Sequence, residues 1–142
     1  MINDFSNCEA LPQVEMEFMN TVHCEELQLV GQLVAQLEAQ TDAEEIDQSL
    51  ANWLAHTREH FEREERLMDE YRFPPYPVHK MEHEQALDTL LSAQQNWLDT
   101  RDADALLSYI KQDWRNWLQQ HIMTLDRVTA HFFKQMGVEV QL

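Results

Sequence analysis

The side chains of this sequence that could do chemistry are histidines and carboxylates at helix-compatible spacings. Three short patterns, H-x-x-x-E, H-x-x-x-H and H-x-x-x-x-D, follow a single histidine near the start of the chain. Nitrogen and oxygen ligands of these types suit iron, manganese or zinc. The candidate metal ligands are His23, His60, Glu64, His79, His83, His121 and Asp126.

The periodicity of the apolar residues predicts four helices that must position these side chains, at 14–40, 43–71, 78–98 and 103–136. Three prolines between residues 72 and 77 must end the second helix, because proline cannot continue one. Gly137 is well placed to end the last helix. Short connections favour antiparallel neighbours. The predicted fold is therefore all-α: an antiparallel up-down-up-down four-helix bundle, 13–142, forming a single domain after an N-terminal arm, 1–12.

Helical geometry places the paired ligands on common faces. Residues four apart on a helix are separated by about 40° in projection, so His60 and Glu64 face one way, as do His79 and His83. Buried imidazoles and carboxylates are costly unless they are paired or bind a metal. Seven such groups inside one bundle are hard to explain without metal, and two ions that share two carboxylates would account for all of them.

The spacing of His121 and Asp126 fits a regular helix less well. Five residues correspond to about 140° in projection, which is not one face. A π-helical turn would restore the alignment, and such turns are frequent at functional sites. We therefore predict a local widening of the fourth helix near Ile122 to Asp126, on which the place of Asp126 in the site depends.

The charge of the chain excludes several classes of partner. Its 142 residues contain 26 acids against 10 bases, a formal net charge of −16. Nucleic-acid binding needs clustered Lys and Arg, and an anionic membrane surface would repel such a chain. No apolar run approaches the roughly 20 residues of a membrane span. The charge itself is best interpreted as a contribution to solubility.

The two cysteines, Cys8 and Cys24, are too few for a disulfide-rich scaffold and do not form a C-x-x-C motif. We expect both to be reduced thiols. No basic segment followed by an apolar run opens the chain, so no signal peptide is predicted. The expected compartment is the cytoplasm.

The motifs together resemble those of the hemerythrin family, and in particular its single-domain bacterial members. The order and spacing match from Val14 onward, and four weak motifs in the right order form a strong signal. The matching segments are MNTVH (residues 19–23), HFEREERLM (60–68), HKMEH (79–83) and HIMTLD (121–126).

This resemblance implies an oxygen-bridged di-iron centre. It assigns His79, His83 and His121 to one iron, and His23 and His60 to a second iron that keeps one position open for dioxygen. Glu64 and Asp126 would bridge the two ions.

The implied function is reversible, non-enzymatic dioxygen binding for carriage, storage or delivery. An oxygen-using enzyme or a signalling protein is a possible partner. The alternative is an oxygen or redox sensor, or a di-iron protein that detoxifies peroxide or nitric oxide or takes part in repair. The ligand types permit manganese as well as iron.

The motifs do not match two other kinds of metal protein. Ferritin-like di-iron bundles need Glu-x-x-His motifs, and no histidine of this chain has a glutamate three positions before it. Structural zinc takes four ligands and prefers thiolates, so a zinc site fails on the number of ligands.

The residues next to the motifs receive secondary interpretations. His56, one turn before His60, is either a hydrogen-bond donor or proton relay at the edge of the site or simply a packed or partly exposed histidine, which is commoner. Glu26, three positions after His23, could approach the site as an extra carboxylate, but surface exposure is the favoured expectation. Glu65 is expected on the surface, and His131 has no site role. We expect Trp117 to pack over the cluster. We expect Met68, Met81 and Met123 to pack in the core near the site.

Overall fold

The computed structural model describes residues 5–142, and within that range the regular structure is entirely helical. A short 3-10 turn, Cys8–Ala10, precedes four long helices. These are α1, Glu17–Glu38; α2, Ala43–Glu70; α3, Tyr76–Thr100; and α4, which runs continuously over 103–135. The predicted all-α four-helix bundle is confirmed. In this range no helix is long and apolar enough to span a membrane.

Two helices begin at different residues than predicted. The side chain of Asn20 bonds both the backbone N–H and the carbonyl of Val14, each at 2.9 Å, which turns the chain before α1 begins at Glu17. Helix α3 begins at Tyr76 and includes Pro77 in its first turn. A proline is tolerated there because the first backbone N–H groups of a helix have no intrahelical partner.

Helix α4 contains two π-helical segments between its α-helical parts. Its α-helical parts are Ala103–Ser108, Arg115–His121 and Arg127–Gln135. The π-helical segment Ile122–Asp126 confirms the predicted widening next to His121. The other π-helical segment, Tyr109–Trp114, was not predicted. Gly137, with φ of 70°, follows the end of α4 as expected, in a conformation that glycine adopts readily.

The N-terminal arm packs along the bundle. Its residues 1–4 lie outside the part of the chain that the structure describes, whereas Leu11 is buried and the ring of Phe5 stacks on Trp114 at 6.5 Å. Gly31 on α1 permits this close approach, since a Cβ atom there would lie 3.0 Å from both Cβ and the carbonyl oxygen of Phe5. The arm is therefore in contact with α1 and α4.

The expectation of two reduced thiols is wrong for this structure, because Cys8 and Cys24 form a disulfide. The arm returns to α1 and brings the two Cα atoms to 5.2 Å, within the range that a disulfide requires. The path of the arm is a tertiary feature, and so the spacing of the cysteines gives no sign of it.

Among residues 5–142, the buried apolar side chains form two clusters. The larger one includes Leu33 and Leu37 of α1, Trp53 of α2 and Ile110 of α4. The smaller apolar cluster contains Met16, Phe18, Met19, Met68, Phe73, Ala130, Phe133 and Val138. Along α1 and α2 the candidate metal ligands fall between the residues of one cluster and those of the other, and on α4 Asp126 falls between Ile122 of the larger cluster and Ala130 of the smaller one. The polar site thus forms a layer between two apolar regions.

Candidate metal centre

The structure brings all seven predicted ligands together in one buried layer. Each is at most 2% exposed to solvent. All four helices contribute: one residue from α1, two each from α2 and α3, and two from the distal part of α4. Burial of imidazoles and carboxylates is costly unless each is hydrogen-bonded, paired with an opposite charge or bound to a metal ion.

The ligand atoms fall into two groups, and within each group the atoms lie within 4.8 Å of one another. One group contains what we name the three-histidine half, His79, His83 and His121, together with Glu64 and Asp126. The other contains the two-histidine half, His23 and His60, again with Glu64.

The carboxylate of Glu64 points one oxygen at each half. Its Oε2 lies 2.6 Å from Nε2 of His60. Its Oε1 lies 3.5 Å from Nε2 of both His79 and His83. One carboxylate therefore faces two separate groups of imidazoles, as a bridging ligand does.

The carboxylate of Asp126 divides its oxygens in the same way. Its Oδ2 lies 3.0 Å from Nε2 of His23, and its Oδ1 lies 3.2 Å from Nε2 of His79 and 3.1 Å from Nε2 of His121. The π-helical segment Ile122–Asp126 places this carboxylate on the same side of α4 as His121. Asp126 therefore lies in the ligand cluster, as the predicted widening of α4 requires.

Unpartnered polar atoms show that these residues fit a pair of cations. Within residues 5–142, seven buried site atoms have no hydrogen-bond partner: both ring nitrogens of His23, Nδ1 of His60, Nε2 of His83, Oε1 of Glu64 and both carboxylate oxygens of Asp126. Each such group costs about 1–3 kcal/mol when it is left unsatisfied. Coordination of metal by imidazole nitrogens and carboxylate oxygens would satisfy most of these atoms, and this donor set suits iron.

The three-histidine half has a hydrogen-bond partner on the outer nitrogen of every ring. In each case Nε2 faces the site and Nδ1 faces away from it. The partners are Thr129 Oγ1 for His79 at 2.8 Å, Glu65 Oε2 for His83 at 3.0 Å, and Glu82 Oε1 for His121 at 2.7 Å. Partners of this kind fix the orientation of a metal-binding imidazole and raise its basicity.

Two of these partners were not expected. Glu65 was predicted to be a solvated surface acid, but it is only 20% exposed and contacts His83. Glu82, the partner of His121, was not singled out. It precedes His83 directly and faces another helix, so that only the packing of α3 against α4 reveals its role.

Glu26 was expected on the surface, yet it is 2% exposed. Its Oε2 accepts hydrogen bonds from the indole N–H groups of Trp53 and Trp114, both at 3.2 Å. Its Oε1 lies 3.4 Å from Nδ1 of His60. The sequence did contain a signal, because Glu26 occupies the apolar stripe of α1 that continues through Val30.

The pKa values of the three-histidine half reflect close charges. Burial disfavours the imidazolium form of His121, but the carboxylate of Asp126, 3.1 Å away, and the hydrogen bond with Glu82 outweigh it and raise its pKa to about 10. Burial acts to raise the pKa of Asp126, whereas the charge of His121 and close contacts with His23 and His79 hold that pKa well below 3.8. The metal-free site thus favours proton-bearing imidazoles beside ionised carboxylates.

The two-histidine half behaves similarly around His60. Burial acts to lower its pKa, but the charge of Glu64 and the nearby carboxylate of Glu26 raise that pKa well above 6.5. Burial also acts to raise the pKa of Glu26, and its contacts with His60 leave it lowered overall. The pKa of Glu64 is lowered as well, since contacts with His60 and His83 outweigh burial and the charge of Asp126.

Aromatic rings cover two of the imidazoles. Trp117 stacks on His121 with ring centres 4.6 Å apart, which confirms the expected packing of this tryptophan over the cluster. Phe61 stacks on His83 at 3.9 Å.

The expected core packing of the three methionines is confirmed only for Met68, which is fully buried. Met81 is 52% exposed and Met123 is 48% exposed, so their assignment to the core is wrong. Both lie on helices that carry ligands, and their side chains occupy the outward face.

The other two histidines lie outside the ligand cluster. His56 Nε2 contacts Glu25 Oε1 at 3.3 Å, and its ring centre is 6.5 Å from that of His60. His131 pairs with Glu15 at 2.6 Å on the surface, consistent with the expectation that it has no site role.

A cavity of about 640 Å³ lies beside the centre, bordered mainly by residues of α3 and α4. Its wall includes Glu26 and the two rings that stack on site histidines, Phe61 and Trp117. The cavity therefore reaches the side chains that surround the imidazoles.

Comparisons with known proteins agree with this site. The family model described as hemerythrin HHE cation binding domain matches residues 15–130. A bacteriohemerythrin from Aquifex aeolicus (strain VF5) is 34% identical over 120 residues, covering 84% of this chain and 88% of that protein. A bacteriohemerythrin from Ralstonia nicotianae (strain ATCC BAA-1114 / GMI1000) is 30% identical over 94 residues, 66% of each chain. A myohemerythrin from Sipunculus nudus is 40% identical over 70 residues, 49% of this chain and 51% of that protein. No solved structure matches the chain significantly.

Proposed function

The chain belongs to the hemerythrin family, and we propose that it binds dioxygen reversibly at two iron ions held by the seven buried residues. Support comes from the way in which Glu64 and Asp126 divide their oxygens between the two halves. Two carboxylates in that arrangement can each serve two cations, one in each half.

The two halves differ in the number of imidazoles that they offer. The three-histidine half, with two shared carboxylates and a bridging oxygen, can complete the coordination of one ion. The two-histidine half offers one imidazole fewer and so leaves a position for an external ligand. Two ferrous ions would supply the electrons and the open position that dioxygen binding needs.

The surrounding residues isolate this chemistry from water. The site lies between two apolar clusters, and Phe61 and Trp117 cover His83 and His121. A dry, shaped surrounding suppresses loss of electrons to solvent and competing hydrolysis. Reversible binding depends on that protection, because an oxygen carrier must release its ligand unchanged.

The test is anaerobic reconstitution with Fe²⁺ followed by exposure to air. We expect two irons per chain and visible absorption bands that appear in air and fade when oxygen is removed. His121→Ala should abolish the bands, whereas His131→Ala, on the same helix but on the surface, should leave them unchanged. Two bound irons without such bands would contradict oxygen binding and leave the fold intact.

The lifetime of the oxygenated form separates a carrier from the alternatives. A protein for carriage, storage or delivery to an oxygen-using enzyme should hold oxygen for many minutes. A sensor coupled to a signalling partner, or a protein that removes peroxide or nitric oxide, should oxidise at once. We propose the first role, without enzymatic turnover. Rapid oxidation together with measurable peroxide consumption would contradict it.

The proposed compartment remains the cytoplasm, although the Cys8–Cys24 disulfide is unusual there, since cytosolic thiols are kept reduced. Rapid alkylation of free thiols at cell lysis, followed by mass spectrometry, measures which form the cell holds. Two alkylated cysteines are expected for a cytoplasmic protein, and an intact disulfide would contradict that location.

A further inference from the structure

A third buried carboxylate lies next to the metal centre. Within the described part of the chain, the acids that are buried are Glu64, Asp126 and Glu26. The first two are candidate ligands, and Glu26 is not among the groups that could hold a metal ion. A buried charge needs a stated role because its removal from water is costly.

Three helices hold Glu26 in place. It lies on α1, its Oε2 accepts from Trp53 of α2 and from Trp114 of α4, and Trp114 belongs to the π-helical segment Tyr109–Trp114. Two indole donors occupy one oxygen, and the other oxygen, Oε1, lies 3.4 Å from Nδ1 of His60, at ion-pair distance but without hydrogen-bond geometry.

The position of the His60 ring makes this contact relevant to the metal. Its Nε2 faces Glu64 Oε2 at 2.6 Å, on the side of the ligand cluster, and its Nδ1 faces Glu26 on the opposite side. A carboxylate on the outer nitrogen of a metal-binding imidazole fixes the ring and increases its electron donation. A negative charge at this distance also stabilises the more oxidised state of the metal.

We propose that Glu26 is a positioning residue that orients His60 and lowers the reduction potential of the metal in the two-histidine half. The oxidised form is favoured there, in the half with the open position. Glu26 also lies in the wall of the 640 Å³ cavity, between that space and His60. The consequence for oxygen binding rests on the proposed function, whereas the effect on metal affinity does not.

The experiment compares Glu26→Gln with Glu25→Gln. Glu25 is the adjacent acid, is 52% exposed and contacts His56 rather than a ligand. With Co²⁺ as a spectroscopic probe, Glu26→Gln should bind one of its two equivalents 10- to 100-fold more weakly, and Glu25→Gln should match the parent protein. In the iron-loaded proteins, Glu26→Gln should raise the reduction potential and slow autoxidation.

Equal Co²⁺ affinity and equal potential in both variants would overturn the proposal. Circular dichroism of the metal-free proteins checks folding. If Glu26→Gln fails to fold, Glu26→Asp keeps the charge but withdraws it from His60, and it should shift the potential in the same direction by less. An unchanged potential in that variant would also overturn the proposal. Absence of oxygen bands in the parent protein would contradict the proposed function, while the Co²⁺ comparison would still decide the role of Glu26.

Discussion

The three-histidine half and the two-histidine half of the metal centre are supported in different ways. In the former, every outer ring nitrogen has a partner at 2.7 to 3.0 Å. In the two-histidine half, Nδ1 has no hydrogen-bond partner among residues 5–142 in either ring, although Nδ1 of His60 lies 3.4 Å from Oε1 of Glu26. Fixed rings define the geometry of an ion in advance, whereas a less constrained ring can adjust when a ligand arrives.

The difference indicates that the two halves of the site have different roles. An ion whose coordination is completed by protein groups gains from rigid ligands. An ion that must accept and release an external molecule gains from ligands that tolerate a change in coordination. The less constrained residue, His23, lies on α1, the helix that is joined to the arm through Cys24.

The largest effect is expected from His83→Ala, which removes a ligand from the three-histidine half. Iron content should fall from two ions to one or fewer per chain, and most of the rise in melting temperature on adding iron should be lost, since metal binding and folding are coupled. Metal analysis and calorimetry measure both. His56→Ala, outside the cluster, is the control, and a variant at His83 that still binds two irons would remove this residue from the site.

A smaller effect is expected from Glu82→Gln, which weakens the support of His121 without removing a ligand. Loss of such a partner typically costs 10- to 100-fold in metal affinity. Titration with Co²⁺ measures the loss, and Glu84→Gln, an exposed acid two residues away, should show none. If both variants bind alike, the outer hydrogen bonds do not distinguish the two halves.

Metal affinity and the stability of the metal-free protein should change in opposite directions with pH: affinity should rise and stability should fall as the pH increases. Because metals bind neutral imidazole, ions must displace protons from His121, whose pKa is raised to about 10, and from His60, whose pKa is raised well above 6.5. Co²⁺ affinity should therefore rise about tenfold per pH unit for each proton displaced. The stabilisation from protonated His121 is fully present below pH 6.5 and lost as the pH approaches about 10.

Measurements at pH 6, 7 and 8 test both directions. Affinity should increase across this range, while the melting temperature of the metal-free protein should decrease through the contribution of these histidines. An affinity that is independent of pH would mean that neither half binds metal through displaced protons.

The smallest effect on metal affinity is expected from Cys8→Ser, which opens the loop closed by the disulfide. In the chain-entropy model a loop of about 15 residues contributes about 3 kcal/mol to stability. Denaturant titration should show a loss of that order, whereas Co²⁺ affinity should change less than tenfold. A larger change, confined to one equivalent, would show that the disulfide positions His23.

Local spacing accounted for much of the site and for the helices that carry it. Pairs four apart on a helix share a face whatever their surroundings, so His60 with Glu64 and His79 with His83 could be placed from sequence. The five-residue spacing of His121 and Asp126 predicted the π-helical segment, which the structure contains. Where only local geometry was needed, the sequence was sufficient.

Features that depend on distant residues were missed. The partners of Glu26 lie 27 and 88 positions away, and the partner of Glu82 lies 39 positions away. The disulfide depends on the path of the arm over α1. The π-helical segment Tyr109–Trp114 has no pair of chemical groups whose spacing would reveal it. These contacts form only when the helices pack together, so they cannot be predicted from any single segment of the sequence.

The layered interior has a consequence for folding cooperativity. The metal ligands separate the larger apolar cluster, with Leu33 and Leu37, from the smaller one, with Met19 and Phe133. With metal bound, the two ends of the bundle are cross-linked through their shared layer. In the metal-free protein they should open as separate units, so that amide hydrogen exchange at Leu37 and at Phe133 reports different opening free energies that converge when metal is added.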